Sequence, residues 1–326
     1  MSGQRLRRLR FCLIAAGAWA VMATLGFFAP IAAEEVPLAW KFSDGQRLDV
    51  HLTQRTEADT VYTGKTLKLA VDLELDLVWE ISRVMQDSGS AMIEQRVQRI
   101  QARISDGQGG GRQYDSMSKR NPADLRAAFD PYHSSVVRFE MERSGKLRSI
   151  EAPSTPRETK ETPGSPQLDM PEMLRQAALV FPATPLSKGS EWMSEYEVPS
   201  PAGKLAVQTT YQYAGEVDEE GQSFDKISLV GKLQIGNAAR TNAGSNGGGE
   251  GDAKSDNATK ENEKDQKKLD IQDHSQTGTV MFDRRQGRIA SSQLKQLLKT
   301  KTRLRETVIE TTTRSTLELS VKPAAP

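Results

Sequence analysis

From Leu67 to Ile81 every odd position is apolar (Leu67, Leu69, Val71, Leu73, Leu75, Leu77, Trp79, Ile81), and Lys68, Asp72, Glu74, Asp76 and Glu80 fall between them. Period two predicts a β-strand with one buried and one wet face. At about 3.3 Å per residue it would run roughly 50 Å, far beyond the usual strand, so the sheet that holds it must twist and curl. A turn at Asp87-Ser88-Gly89-Ser90 follows. Ala91 to Ile104 then carries a mixed pattern: Ile93, Val97, Ile100 and Ile104 are spaced as on a helix, whereas Ile100, Ala102 and Ile104 alternate. A returning strand with a bulge near Gln98 is favoured, because a long strand needs a partner for its backbone groups. Val137, Phe139 and Met141 lead into Ser144-Gly145, with Leu147 and Ile150 returning, which predicts a hairpin.

Residues 151 to 171 hold five prolines among Ser, Thr, Glu and Lys and read as a linker. Leu168 to Phe181 is predicted as an amphipathic helix. Met170, Met173, Leu174, Ala177, Ala178 and Phe181 share a face, Pro171 sits in the first turn and Pro182 ends it. Further strands are predicted at 192–198, 204–215, 224–235, 278–283, 288–298 and 308–321. Between Gly236 and Thr277 the large apolar residues are Leu269 and Ile271 alone, too little to offset the entropy of ordering, so 237–276 is predicted to be a disordered insertion.

Two correspondences suggest an internal repeat. Trp79 and Ile81 precede Gly89 at the same spacing as Tyr211 and Tyr213 precede Gly221, and Met141 to Leu147 resembles Phe282 to Ile289 with one insertion. Any antiparallel protein repeats strand, glycine turn and strand, so chance matches stand as the alternative. The expected organisation is an N-terminal segment 1–33, a first β-meander 34–150, a linker and helix 151–185, and a second β-meander 186–321 interrupted by 237–276.

The N-terminal segment changes the charge picture. Arg5, Arg7, Arg8 and Arg10 precede an uncharged run from Phe11 to Ala33, the layout of a secretory signal cleaved after Ala33. An uncleaved membrane anchor is the alternative, because the run is long enough to span a bilayer. Either reading places residues 34 to 326 outside the cytoplasm, periplasmic or extracellular. Removing these four charges from a chain of net +1 leaves −3 and no cysteine, since Cys12 lies in the removed segment. That excludes a disulfide framework, a thiolate metal site and bulk nucleic-acid binding. An outer-membrane barrel is disfavoured by an aromatic content of only 6%.

The search for chemistry yields no catalytic, cofactor-binding or metal-ligating constellation. His51, His133 and His274 are far apart in sequence and have no ligand partner at metal spacing; they read as structural or solvated. Asp72, Glu74 and Asp76 form the wet face of the long strand, with Arg96, Arg99 and Arg103 as candidate complements from the next one. Gly107 to Gly111 and Gly247 to Gly251 read as loops, since neither follows a strand and opens a helix. Asn257-Ala258-Thr259 is a formal glycosylation sequon. The basic stretch Lys295 to Arg305 reads as a strand face near acids, with contact to an anionic headgroup or glycan as the alternative.

The opening Trp40-Lys41-Phe42 with Gly45-Gln46, the strand ending in Trp79-Glu80-Ile81, Tyr114-Asp115-Ser116, Leu186 to Trp192 with its Gly189, and Gly278 to Ile289 with Phe282-Asp283 and Gly287 resemble a family of exported bacterial proteins known as a domain of unknown function. The resemblance covers most of 38 to 320 and implies export and a β-rich fold. It brings no catalytic residues.

The fold class expected is mainly β: a curved antiparallel sheet or half-barrel, one or duplicated, with one amphipathic helix. The function expected is a non-enzymatic cell-envelope protein, without cofactors, that holds an apolar ligand, a lipid, a lipoprotein or a partner chain on its curved sheet. A scaffolding role for the 237–276 tract and an enzyme with an unrecognised site are the alternatives.

Overall fold

The computed structural model describes residues 35–151, 170–200, 203–235, 268–304 and 307–324. The expected signal at 1–33, most of the linker and most of the 237–276 insertion lie outside these residues. The described chain forms β1 (Arg47–Tyr62), β2 (Lys65–Val84), β3 (Ala91–Ser105), β4 (Gly111–Asp115), α1 (Ala123–Phe129), a single 3-10 turn (Asp130–Tyr132), β5 (Val136–Met141), β6 (Leu147–Glu151), α2 (Met170–Ala177), β7 (Glu191–Ser200), β8 (Gly203–Glu219), β9 (Gln222–Ile235), β10 (Lys268–Asp283), β11 (Arg288–Leu304) and β12 (Thr307–Pro323).

All twelve strands belong to one antiparallel sheet in the order β6-β5-β3-β2-β1-β12-β11-β10-β9-β8-β7, with β4 on β3. Each meander therefore runs strand by strand across the sheet, and β12 joins the second meander to the first by pairing with both β11 and β1. The strand expected over 67–81 is there, and its alternation is borne out from Leu73 to Ile81, where Leu73, Leu75, Leu77, Trp79 and Ile81 are buried on one face and Val78 is buried as well; at its outer end Leu67 and Leu69 are exposed, so the expected dry face stops short of them. The bulge expected near Gln98 is there too, since Asp76 pairs with Arg99 and Leu77 with Val97, leaving Gln98 without a register partner.

The two meanders repeat each other in backbone detail. Ser82 is skipped in the β2–β3 register directly after Ile81, and Ala214 is skipped in β8–β9 directly after Tyr213. Arg148 is skipped in β5–β6 directly after Leu147, and Ala290 in β10–β11 directly after Ile289. The entry turns match as well. The Gly45 N–H donates to the Ile81 carbonyl (2.9 Å) and the Ile81 N–H to the Gln46 carbonyl (2.9 Å), as Gly189 does to Tyr213 (2.7 Å) and Tyr213 to Ser190 (2.9 Å). Bulges fix register and local twist, so these coincidences support the repeat read from the sequence. Both meanders lie in one sheet around one core.

Two expectations are corrected. Among the described residues two helices are present instead of one: α1 follows Asn121-Pro122 and buries Leu125 and Phe129, four residues apart, with the Phe129 ring against Tyr114. The disordered reading of 237–276 fails at its C-terminal end, where β10 begins at Lys268 and pairs with β11 from Arg303 onward. Its polar sequence suffices because the strands extend past the core, and their outer ends need only backbone partners and water.

The core fills the end of the curl where Trp40, Phe282, Phe181, Trp79 and Phe139 meet. Trp40 packs edge-on against Phe282 (6.0 Å), Phe181 against Phe282 (4.7 Å) and Trp79 against Phe139 (5.6 Å). One continuous buried cluster draws on all of β1 to β5, both helices and β8 to β12, with Leu147 and Ile150 of β6 and Trp192 of β7 packed onto it. Residues of both edge strands thus meet the same core, so the sheet curls toward closure without its edges pairing.

Candidate functional site at the sheet seam

The repeat locates the seam. In the second meander β12 covers the edge of β11, but the corresponding edge of β6 has no strand on it among the described residues, and neither has the outer edge of β7. The gap is bridged at one end by the chain leaving α2. Phe181 N–H donates to the Ser144 carbonyl in the β5–β6 turn (2.7 Å), and the Trp192 indole N–H on β7 donates to the Val180 carbonyl (2.7 Å). The Trp40 indole N–H holds the Leu179 carbonyl at 3.1 Å. With the backbone so pinned, alternation sends Leu179 and Phe181 into the core and leaves Ala178 and Val180 on a cavity wall.

That cavity, of about 340 Å³, is lined by both edges: Leu147 to Ile150 from β6 and Ser194 to Tyr196 from β7, with Arg175, Gln176, Ala178 and Val180 from the helix end. Its floor is the inner face of the sheet, Thr209, Tyr211, Leu229, Gln276 and Leu294. Register explains the floor. Trp192, Tyr211, Leu229, Gly278 and Leu294 form one cross-strand row, and a Cβ on Gly278 would sit 2.6 Å from the Gln293 carbonyl oxygen, 3.0 Å from Leu294 and 3.2 Å from Leu229, so the leucines on either side close over the glycine. The next row is polar: Ser194, Thr209, Gly231 and Gln276, with the Gln276 side chain folded over Gly231. Gln276 is 5% exposed and its Oε1 has no hydrogen-bond partner, while the Ser194 hydroxyl donates to the Tyr211 hydroxyl at 3.3 Å. Burial first of all pushes the Tyr211 phenol up, so it stays neutral. The site combines an apolar floor and a neutral polar tier with charged side chains in its walls, Lys146 and Arg148 on the β6 side, Arg175 at the helix end and Glu195 on β7, an amphipathic lining fit for non-covalent binding.

No family model and no curated protein matches the chain. Among solved structures it is similar to lipovitellin, from a structure describing lipid–protein interactions, at 12% identity and a TM-score of 0.43, over 88% of this chain and 26% of that one. It is also similar to an outer-membrane channel from Pseudomonas putida F1, at 8% identity and a TM-score of 0.23, over 90% of this chain and 99% of that one. The chain thus spans about a quarter of the lipovitellin chain. Both likenesses are distant, and the functional reading rests on the cavity.

The residues weighed from sequence lie elsewhere. Asp72, Glu74 and Asp76 are on the outer face, and cross-strand register brings His51 to Asp76: Nδ1 lies 2.8 Å from the carboxylate, with Glu74 at 3.7 Å from Nε2. His51, Glu74 and Asp76 are the group among the described residues that could reach one metal ion, and all three side chains are about two-fifths exposed. The sequence reading kept His51 apart because its partner is 25 positions away; aligning β1 with β2 from the turn would have paired them. Arg99 and Arg103 do stand opposite Asp76 and Asp72, but Arg99 forms its ion pair with Asp115 (2.7 Å) and Arg96 pairs with Glu94 (2.9 Å). Arg55 on β1 comes within 3.8 Å of Asp72.

His133 caps the 3-10 turn, and Gly107 to Gly111 is the β3–β4 connection. Within Lys295 to Arg305 the described residues, through Leu304, form the end of β11. Lys299 pairs with Asp273 (3.1 Å) and Lys301 with Glu310 (2.9 Å) on the neighbouring strands. His274, expected in the disordered tract, is instead on β10, where its Nδ1 accepts the Leu233 N–H at 3.1 Å. Gly247 to Gly251 and the Asn257 sequon lie outside the described residues. No helix among the described residues is long and apolar enough to cross a membrane.

Proposed function

We propose that this is an exported, non-enzymatic binding protein of the cell envelope that holds an apolar ligand, a lipid or the acyl chain of a lipoprotein, in the cavity between β6, β7 and α2. The observation that carries the reading is that both unpaired sheet edges and the helix end line one cavity of about 340 Å³, within the range of about 300–1,000 Å³ typical of small-ligand pockets. An apolar occupant gains roughly 25 cal/mol for each Å² it removes from water against Leu147, Ile150, Val180, Leu229 and Leu294. The unpaired seam supplies an entrance, since β6 and β7 can separate without breaking ladder hydrogen bonds to each other. Export rests on the N-terminal charge and hydropathy pattern, in keeping with the exported family that the sequence resembles.

The test is native mass spectrometry of the full chain recovered from its export compartment, followed by solvent extraction. A co-purifying lipid is expected, and Val180→Trp or Leu229→Trp, each of which fills the cavity, should release it while thermal unfolding stays cooperative. A protein that carries no lipid and takes up no long-chain probe from solution would remove the proposal.

A further inference from the structure

Among the described residues, seven large apolar side chains are exposed, and four of them, Val61, Tyr62, Leu67 and Leu69, sit at the tip of the β1–β2 hairpin. Val61 is 42% exposed, Tyr62 44%, Leu67 58% and Leu69 39%. Tyr62, Leu67 and Leu69 continue the same inner-face rows as Leu52 and Leu73, which are buried. The apolar face therefore runs on past the end of the core. At about 3.3 Å per residue the turn stands roughly 26 Å beyond Leu73. The turn itself, Thr63-Gly64, has positive φ at both residues (46° and 76°), the tight two-residue geometry that keeps a hairpin straight to its end.

Neighbouring strands end at the same level, since Tyr62 pairs with Ile309 and Ile309 with Thr302. The charges there are asymmetric. Asp59 is neutralised by Arg314 (3.1 Å), Glu310 by Lys301 (2.9 Å) and Asp273 by Lys299 (3.1 Å). Lys65, Lys68 and Arg303 have no ion pair among the described residues, although Lys68 stands across from Asp59, and on the acidic side Asp270 of β10 and Asp106 in the turn beside Lys68 have none either, which leaves a small surplus of cations. An apolar and aromatic tip flanked by surplus cations, on a body of net negative charge, is complementary to one kind of surface: hydrocarbon beneath anionic headgroups. Tyr62 places a ring with a polar end at that boundary, and the lysine stems can lie along acyl chains while their ammonium groups reach phosphate.

We propose that the β1–β2 hairpin tip, with the adjoining ends of β11 and β12, docks the protein on an anionic membrane surface. This surface is separate from the seam cavity and does not depend on what the cavity holds. The experiment is co-sedimentation of the full exported chain with vesicles of phosphatidylcholine alone and of phosphatidylcholine mixed with phosphatidylglycerol, at low and high salt. The protein is expected to bind the anionic vesicles and to be released by salt. The double variant Leu67→Ser/Leu69→Ser and the charge reversal Lys65→Glu/Lys68→Glu should each weaken binding on the order of tenfold or more. Leu229→Trp, which fills the cavity, should bind vesicles as the parent chain does. Equal binding by parent and tip variants would overturn the proposal. So would an absence of vesicle binding combined with a self-association that the tip variants abolish, which would make a second copy the occupant.

Discussion

Arg284 clamps the Asp225 carboxylate, with Nε at 2.8 Å from Oδ2, and Tyr213 donates its hydroxyl to the same carboxylate at 2.6 Å. The Asp225 side chain is 2% exposed and that of Arg284 32%, so the acid is the desolvated partner and the cation keeps some water. Burial, with the hydrogen bond to Asp225 next, raises the Tyr213 phenol, which therefore remains a donor. Removing the cation strands a buried charge. Arg284→Met is expected to cost about 2–3 kcal/mol, seen as a fall in Tm of roughly 5–10 °C. Asp225→Asn keeps the shape and an acceptor for Tyr213, and leaves Arg284 within reach of Glu216 at 3.6 Å; it should cost about 1 kcal/mol. Differential scanning calorimetry of the two variants checks the order. Equal costs would mean that the pair is not desolvated.

Gly145 carries the chain beneath the Trp40 indole. A Cβ there would lie 1.9 Å from the Leu179 carbonyl oxygen and 2.6 Å from Trp40 Nε1, at a φ of +88°. Gly45, at φ +74°, has nothing within 4 Å of its missing Cβ. Gly45→Ala should therefore cost only the left-handed backbone term, about 1–2 kcal/mol. Gly145→Ala adds overpacking of about 1–3 kcal/mol and separates the Trp40–Leu179 hydrogen bond. Chemical denaturation of both variants, with Trp fluorescence as the readout, should show the larger loss and a perturbed emission for Gly145→Ala alone.

Gln95 is buried on β3, accepting the Trp79 indole N–H at 2.8 Å while its own Nε2 has no partner. Its two halves oppose each other: the carbonyl satisfies a donor and the amide nitrogen is itself unsatisfied. Gln95→Met loses the first and removes the second, so a net change within about 1 kcal/mol is expected. Trp79→Phe deletes the indole donor, leaves the whole Gln95 amide unpartnered and reduces the packing on Phe139, at a cost of about 2–4 kcal/mol. Urea midpoints at constant m distinguish the two outcomes.

Strands were legible from sequence wherever the core enforces alternation. Leu73 to Ile81 and Val137 to Met141 follow period two because one side of each is dry, and the Gln98 bulge showed as a break in phase between Val97 and Ile100. Legibility ended where burial ended. Lys268 to Gln276 is held by register with β11 and, at Gln276, with β9, and that information sits in the partner strands. The seven-residue α1 was hidden because two apolar anchors, Leu125 and Phe129, make too short a pattern to separate from a loop. The cavity was illegible for a related reason. Its wall gathers Ile150, Val180, Tyr196, Leu229 and Leu294 from distant parts of the chain, and only sheet order and the pinned segment after α2 bring them together.

His274 gives a pH dependence with a definite sign. Burial lowers its pKa from the ordinary 6.5, with Asp273 as a smaller opposing influence, and Nδ1 must stay unprotonated to accept the Leu233 N–H. Well above pH 6.5 the ring is neutral in both folded and unfolded chains, and its contribution to stability is complete. As the pH falls below that value the unfolded chain takes up the proton first, so stability declines until the folded ring protonates as well. The carboxylates lowered by their arginine partners, Glu94, Asp115 and Glu142, begin to contribute only nearer their ordinary range around pH 4, in the same direction. Between about pH 7 and 5 the fall in Tm should therefore be shallower in His274→Asn than in the parent chain, because Asn keeps a polar side chain without a titrating ring. Parallel scans of the two proteins across that window decide the matter. Identical slopes would show that the ring is solvated and that the Leu233 hydrogen bond does not hold it neutral.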